Sequence, residues 1–165
     1  MTRARILFLA QLLPYPPVCG GTIRSFNVMK RLCLNHDVTL LAFSRRQDDE
    51  KNIELLKTYC VDVKTAPIAR SGARNATWAL RSIVNRSSFI VDRDHVDCMQ
   101  ALVDRTLGES GCDLIYIDHL QMFQYVKDRQ NCPRLLDEHN LEWMIIQRIA
   151  NVQPHGPKKW FAAQE

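Results

Sequence analysis

Five short apolar or β-branched runs, separated by longer segments of helical period, dominate this chain, and that alternation leaves few folds open. Strands are expected at Arg5 to Ala10, Val38 to Phe43, Val61 to Ala66, Asp113 to Ile117 and Arg134 to Asp137. Between the first two, Thr22 to Leu34 sets Phe26, Met29, Leu32 and Cys33 on one helical face and turns Arg24, Asn27 and Arg31 away. Asp48 to Tyr59 opens on three acidic residues, which suit a helix N-terminus, and carries Ile53, Leu55 and Leu56 inward. Further helices are expected at Ala73 to Arg86, Asp94 to Leu107, Leu120 to Lys127 and Leu141 to Ala150. The helix expected at Asp94 to Leu107 carries a stripe of Val96, Met99, Leu102, Val103 and Leu107 and stops at Gly108 and Gly111. Strands joined through helices run parallel, and a parallel sheet needs helices on both faces. The expected class is therefore α/β, in one domain, since 165 residues suffice for one core and not for two.

Such a sheet brings the carboxyl ends of all its strands to one edge, and ligands bind beyond that edge where the strand order reverses. Three loops there are chemically unusual: Gln11 to Gly21, Asp118 to His119, and Glu138 to Asn140. The first lacks the G-x-G-x-x-G of a dinucleotide site, and Phe43-Ser44-Arg45-Arg46 puts no acidic residue at the end of the second strand. NAD is disfavoured. A P-loop is excluded, because no Gly-Lys-Ser or Gly-Lys-Thr occurs. The adjacent Gly20 and Gly21 stand directly before a helix, where bare backbone amides and the helix dipole can meet an anion such as a diphosphate. They equally suit a plain turn after Pro16 and Pro17. His119 at the end of the fourth strand is either a structural hydrogen-bonder or a ligand contact. Asp137, Glu138, His139 and Asn140 form a run of four polar residues at the end of the fifth, although Asp137 and Asn140 could serve only as turn and cap.

Charge and cysteine content exclude more than they suggest. Twenty-two basic residues against eighteen acidic ones leave +4, too little to argue nucleic acid. Six cysteines without a C-x-x-C pair read as free thiols rather than zinc ligands or a disulfide framework. The apolar start is interrupted at Gln11 and Pro14, so the chain reads as a cytoplasmic protein without a signal peptide or a membrane span.

PYPPVCGGTIRSFNVMKRL followed by HDVTLLAF resembles the opening of glycosyltransferase family four, the retaining sugar transferases of the GT-B fold. Asp113-Leu-Ile-Tyr-Ile-Asp-His119 is similar to that family's fourth-strand histidine motif, and Asp137-Glu-His-Asn-Leu-Glu142 to the D-x-H-N-x-E segment of members from bacterial polysaccharide clusters. The resemblance implies a Rossmann-like domain, the N-terminal half of a GT-B enzyme, whose C-terminal nucleotide-sugar domain is not part of residues 1–165. It implies a nucleotide-sugar donor, a sugar or lipid-linked acceptor, no metal and no cofactor. By the same resemblance His119 is the catalytic contact to the donor sugar, Gly20 and Gly21 hold the donor diphosphate, and Glu138, His139 and Asn140 line the acceptor side. Relatives working on lipid-linked acceptors suggest peripheral contact with the inner face of an anionic membrane through Arg70, Arg74, Trp78 and Arg81. Here a solvated helix face over a core stripe of Ala76, Ala79, Leu80 and Ile83 is the competing reading. Outside the family, a non-catalytic binding or assembly subunit of related fold is the alternative.

Overall fold

In the computed structural model, residues 2–45, 49–69, 71–139 and 142–152 are described. The elements run β1 (Arg5–Ala10), α1 (Gly20–Cys33), β2 (Asp37–Ser44), α2 (Asp49–Lys57), β3 (Asp62–Pro67), α3 (Gly72–Asn85), α4 (Phe89–Asp92), α5 (Asp97–Ser110), β4 (Leu114–Asp118), α6 (Leu120–Phe123), β5 (Arg134–Asp137) and α7 (Glu142–Val152). All five strands are parallel, in the order β3-β2-β1-β4-β5. The fold is α/β and Rossmann-like. The order reverses between β1 and β4, so the crevice for a ligand opens where those two strands end.

The period of two along each strand divides the core into two layers. Leu7, Leu9, Leu41, Phe43, Ile115 and Ile117 face Met99 and Val103 of α5 and Met122 and Tyr125 of the α6 region. Ile6, Phe8, Ala10, Leu40, Ala42 and Tyr116 face Met29 of α1, Leu56 of α2 and Cys60. Burial on both faces explains why β1 and the middle of β2 read as continuous apolar runs rather than alternating ones. Each fully buried Leu or Phe here contributes roughly 1.5–3 kcal/mol. Phe8 stacks on Tyr116 across the β1–β4 pair, with ring centroids 4.7 Å apart, which ties the two strands flanking the crevice.

Three expectations change. The helix expected over Leu120 to Lys127 is the single turn α6. α5 runs through Gly108 to Ser110 and stops only at Gly111, whose φ of +58° is the left-handed conformation that glycine adopts without strain. The inward face of α3 is not Leu80 and Ile83, which are 66% and 42% exposed, but the side that carries Trp78 and the buried Ser82. The cause is what α3 packs on. It packs chiefly on α4, and the indole of Trp78 lies edge-on to His95, centroids 6.0 Å apart. The cysteines are not bonded to one another, although two pairs are close: Cys112 and Cys132 have sulfurs 2.8 Å apart and Cys33 and Cys60 3.8 Å apart.

Candidate functional site

Strand register assembles the site. Ala10 pairs with Asp118, and Asp118 pairs with Asp137, so β1, β4 and β5 end in one row and their three loops leave side by side. Asp118 closes an otherwise apolar strand and is 1% exposed. A carboxylate so deep in the fold needs partners. The Ser25 hydroxyl, from the second turn of α1, lies 2.8 Å from Asp118 Oδ2 and 2.9 Å from the Gly21 carbonyl, two acceptors for its single proton. His119 Nδ1 is 3.1 Å from the same Oδ2. On the other side His139 Nε2 stands 2.8 Å from Asp118 Oδ1, close enough to attract but not aligned as a hydrogen bond, so both atoms remain without a hydrogen-bond partner.

The two imidazoles lie against each other, centroids 4.0 Å apart and planes at 48°. With their inner nitrogens turned to Asp118, the outer ones, His119 Nε2 and His139 Nδ1, face Gly21. A Cβ on Gly21 would meet them at 3.8 and 4.0 Å. The absence of that carbon leaves a small space bounded by two ring nitrogens and the start of α1. It adjoins a cavity of about 90 Å³ lined by Gln11, Leu12, Cys19, Thr22 and Ser25 as well as the site residues.

His119 holds this position at a conformational cost. Its φ of +83° with ψ 143° is a region that glycine occupies freely and that costs other residues about 1–3 kcal/mol. Its own amide donates to the Asp137 carbonyl at 3.2 Å, which fixes the turn across to β5. Asp137 in turn accepts from the Tyr116 hydroxyl and pairs with Arg24 of α1. Burial, and then the neighbouring Asp137, push the Tyr116 phenol up, so it stays a donor at any ordinary pH.

At the head of α1, Cys19 occupies the N-cap position with extended backbone, and its amide donates to Thr22 Oγ1 at 3.1 Å. The Thr22 hydroxyl, the Thr22 and Gly21 amides and the charge of His119 hold the Cys19 thiol below its ordinary range. These groups favour an anion, as expected of a helix N-terminus, and so favour the thiolate form of Cys19 more than solvent does. By contrast, burial and the adjacent Cys132 thiol push Cys112 up to about 12, and Cys60 is raised further by its contact with Cys33 and by burial. Iodoacetamide at pH 7 is therefore expected to modify Cys19 well before Cys112 or Cys60, read by peptide mass mapping. Equal rates would show that the α1 amides do not reach the sulfur.

The residues expected from sequence thus divide. Gly21, His119 and His139 come together; Gly20 has nothing within 4 Å of its would-be Cβ and is exposed. Glu138 is exposed, and His139 turns its side chain inward to 5% exposure rather than out along the rim. Asn140 and Arg70 lie outside the described residues, as does the Arg74 side chain. Trp78 and Arg81 stack on each other, the guanidinium 4.9 Å from the ring, on the wall of a separate cavity of about 480 Å³ that Asp92, His95 and Tyr125 also line. Sequence reading missed Ser25, Arg24, Tyr116 and the central part of Asp118. Two signals were available: a serine on the apolar stripe of α1, and a carboxylate directly after the largely apolar run Leu114 to Ile117.

No family model matches the chain, and no curated protein sequence does. Among solved structures it is similar to the C-terminal domain of a hydrogenase from Pyrococcus furiosus, with TM-score 0.51 and 16% identity over 83% of this chain and 93% of that one. That likeness shows the fold alone. No helix among the described residues is long and apolar enough to cross a membrane.

Proposed function

We propose that the chain is the N-terminal, acceptor-side domain of a retaining glycosyltransferase of the GT-B type, moving a sugar from a nucleoside-diphosphate donor to an acceptor hydroxyl in polysaccharide or glycolipid synthesis. The observation that carries the reading is the convergence of Gly21, His119 and His139, from three distant parts of the chain, on one space at the switch point of the sheet. The exposed helix start beside it suits a diphosphate, and an imidazole whose inner nitrogen is engaged by a carboxylate presents its outer nitrogen to a sugar hydroxyl. In the reaction the bond from the anomeric carbon to the diphosphate oxygen breaks, its electron pair leaving with the phosphate. The bond to the acceptor oxygen forms on the same face, and the acceptor proton passes to the departing phosphate. Amides at the head of α1 would stabilise the charge that grows there. His119 would orient the sugar without attacking it. The nucleoside would be gripped by a second Rossmann-like domain.

The test is turnover by the protein of the complete reading frame with a panel of nucleotide sugars. Turnover with retention at the anomeric carbon, strongly reduced in His119→Ala, is the expected outcome. A reading frame that stops without a second domain, together with no turnover of any donor, favours the non-catalytic subunit instead.

Peripheral attachment to an anionic membrane on the cytoplasmic side is part of this proposal, with a changed surface. The outward side of α3 is apolar, with Leu80 66% and Val84 74% exposed, while Trp78 is engaged with His95 and Arg81. Co-sedimentation with anionic vesicles at low salt is expected; none at low salt removes the membrane contact.

A further inference from the structure

We infer that Asp118, His119 and His139 also form a binding site for a divalent transition-metal ion of the zinc class. This goes beyond sugar transfer and rests on the geometry alone. One donor atom from each of the three residues lies within 4.8 Å of the others, and two adjacent, hydrogen-bonded strand ends carry them. The second observation concerns what these groups lack. Asp118 Oδ1 and both ring nitrogens of His139 are buried with no hydrogen-bond partner, on side chains 2% and 5% exposed. A buried polar atom left unpaired costs about 1–3 kcal/mol, so three of them in one place need an explanation. An ion accepts lone pairs from Oδ1 and Nε2 together, the 2.8 Å between them opening to the roughly 3.3 Å that two tetrahedral ligands at bond lengths of about 2.1 Å require.

The surroundings favour the same reading. The Ser25 hydroxyl beside Oδ2 fixes the carboxylate from behind, the supporting contact that metal-ligating groups commonly have. Asp137, whose Oδ2 is 3.8 Å from His139 Nε2, is already committed to Arg24 and Tyr116, and so adds negative potential without competing as a ligand. Two imidazoles and one carboxylate select zinc, nickel, cobalt or ferrous iron over calcium or magnesium, which prefer oxygen alone.

The experiment is zinc titration of the chelator-treated protein against a chromogenic competitor, without nucleotide sugar, so that its outcome is independent of whether the protein transfers sugar. One ion per chain is expected, with a dissociation constant of roughly micromolar or below. Asp118→Asn and His139→Gln are each expected to weaken binding by at least about tenfold. The double substitution Cys112→Ser with Cys132→Ser removes the closest pair of zinc-capable sulfurs among the described residues and is expected to change nothing. Should the first two variants not fold, Co²⁺ added to the unaltered protein decides: paramagnetic shifts of the His119 and His139 ring protons support the site. Absence of binding, binding that survives both substitutions, or loss only in the cysteine variant would overturn it.

Discussion

Gly21→Ala is expected to give a slightly more stable protein that binds nucleotide sugar at least about tenfold more weakly, a loss of about 1.4 kcal/mol or more. Stability rises because Gly21 is the second residue of a regular helix, where alanine is favoured over glycine by up to about 1 kcal/mol. No clash offsets the gain, since the new carbon would sit at ordinary contact distance, 3.8 Å from His119 Nε2 and 4.0 Å from His139 Nδ1. It would, however, fill the one space onto which both outer ring nitrogens face, so a ligand atom could no longer enter. Gly20→Ala is the control. Its Cβ meets nothing within 4 Å, and binding should stay within about twofold, a few tenths of a kcal/mol. Urea denaturation and donor titration on both variants check the pair. Unchanged donor binding in Gly21→Ala would remove the α1 head from the site.

Replacing His119 should separate activity from strain. Both His119→Ala and His119→Gly are expected to lower turnover by about 10²–10³-fold, the usual effect of removing a polar contact to charge that develops in a transition state. They should differ in stability. Alanine inherits a backbone conformation with φ +83° that disfavours any side chain, whereas glycine adopts it freely. Glycine also gives the unfolded chain more freedom, which takes back about 0.5–1 kcal/mol. The net expectation is His119→Gly more stable than His119→Ala by about 1 kcal/mol. Both variants lose the contact to Asp118, so that term cancels from the comparison. Equal midpoints in denaturant would mean that the turn after β4 relaxes on substitution and stores no strain at His119.

These expectations depend unevenly on sequence. The inner strands β1, β2 and β4 were legible because they are largely apolar on both faces, and a run such as Ile6 to Ala10 has no other stable place than the inside of a covered parallel sheet. The helix after Gly20-Gly21 was legible from Phe26, Met29 and Leu32. The α3 face was not. Leu80 and Ile83 have the right spacing for a core stripe, but periodicity measures a pattern and not the partner, and α3 packs chiefly on α4. α4 is a single turn, too short to produce a period at all.

The site divides in the same way. Its outline was local: the adjacent glycines, a histidine after β4 and a polar run after β5 each mark a strand end by their residue types alone. Its centre was not, because Ser25, Asp118 and His139 are 93 and 21 positions apart and acquire meaning only when strand register sets Asp118 opposite Asp137. The amino-acid pattern determined the layered architecture and which edge of the sheet carries chemistry, since hydrophobic period acts residue by residue. Tertiary structure decided that one buried carboxylate stands between two imidazoles and a serine, because desolvation and alignment belong to groups brought together only after the chain has closed.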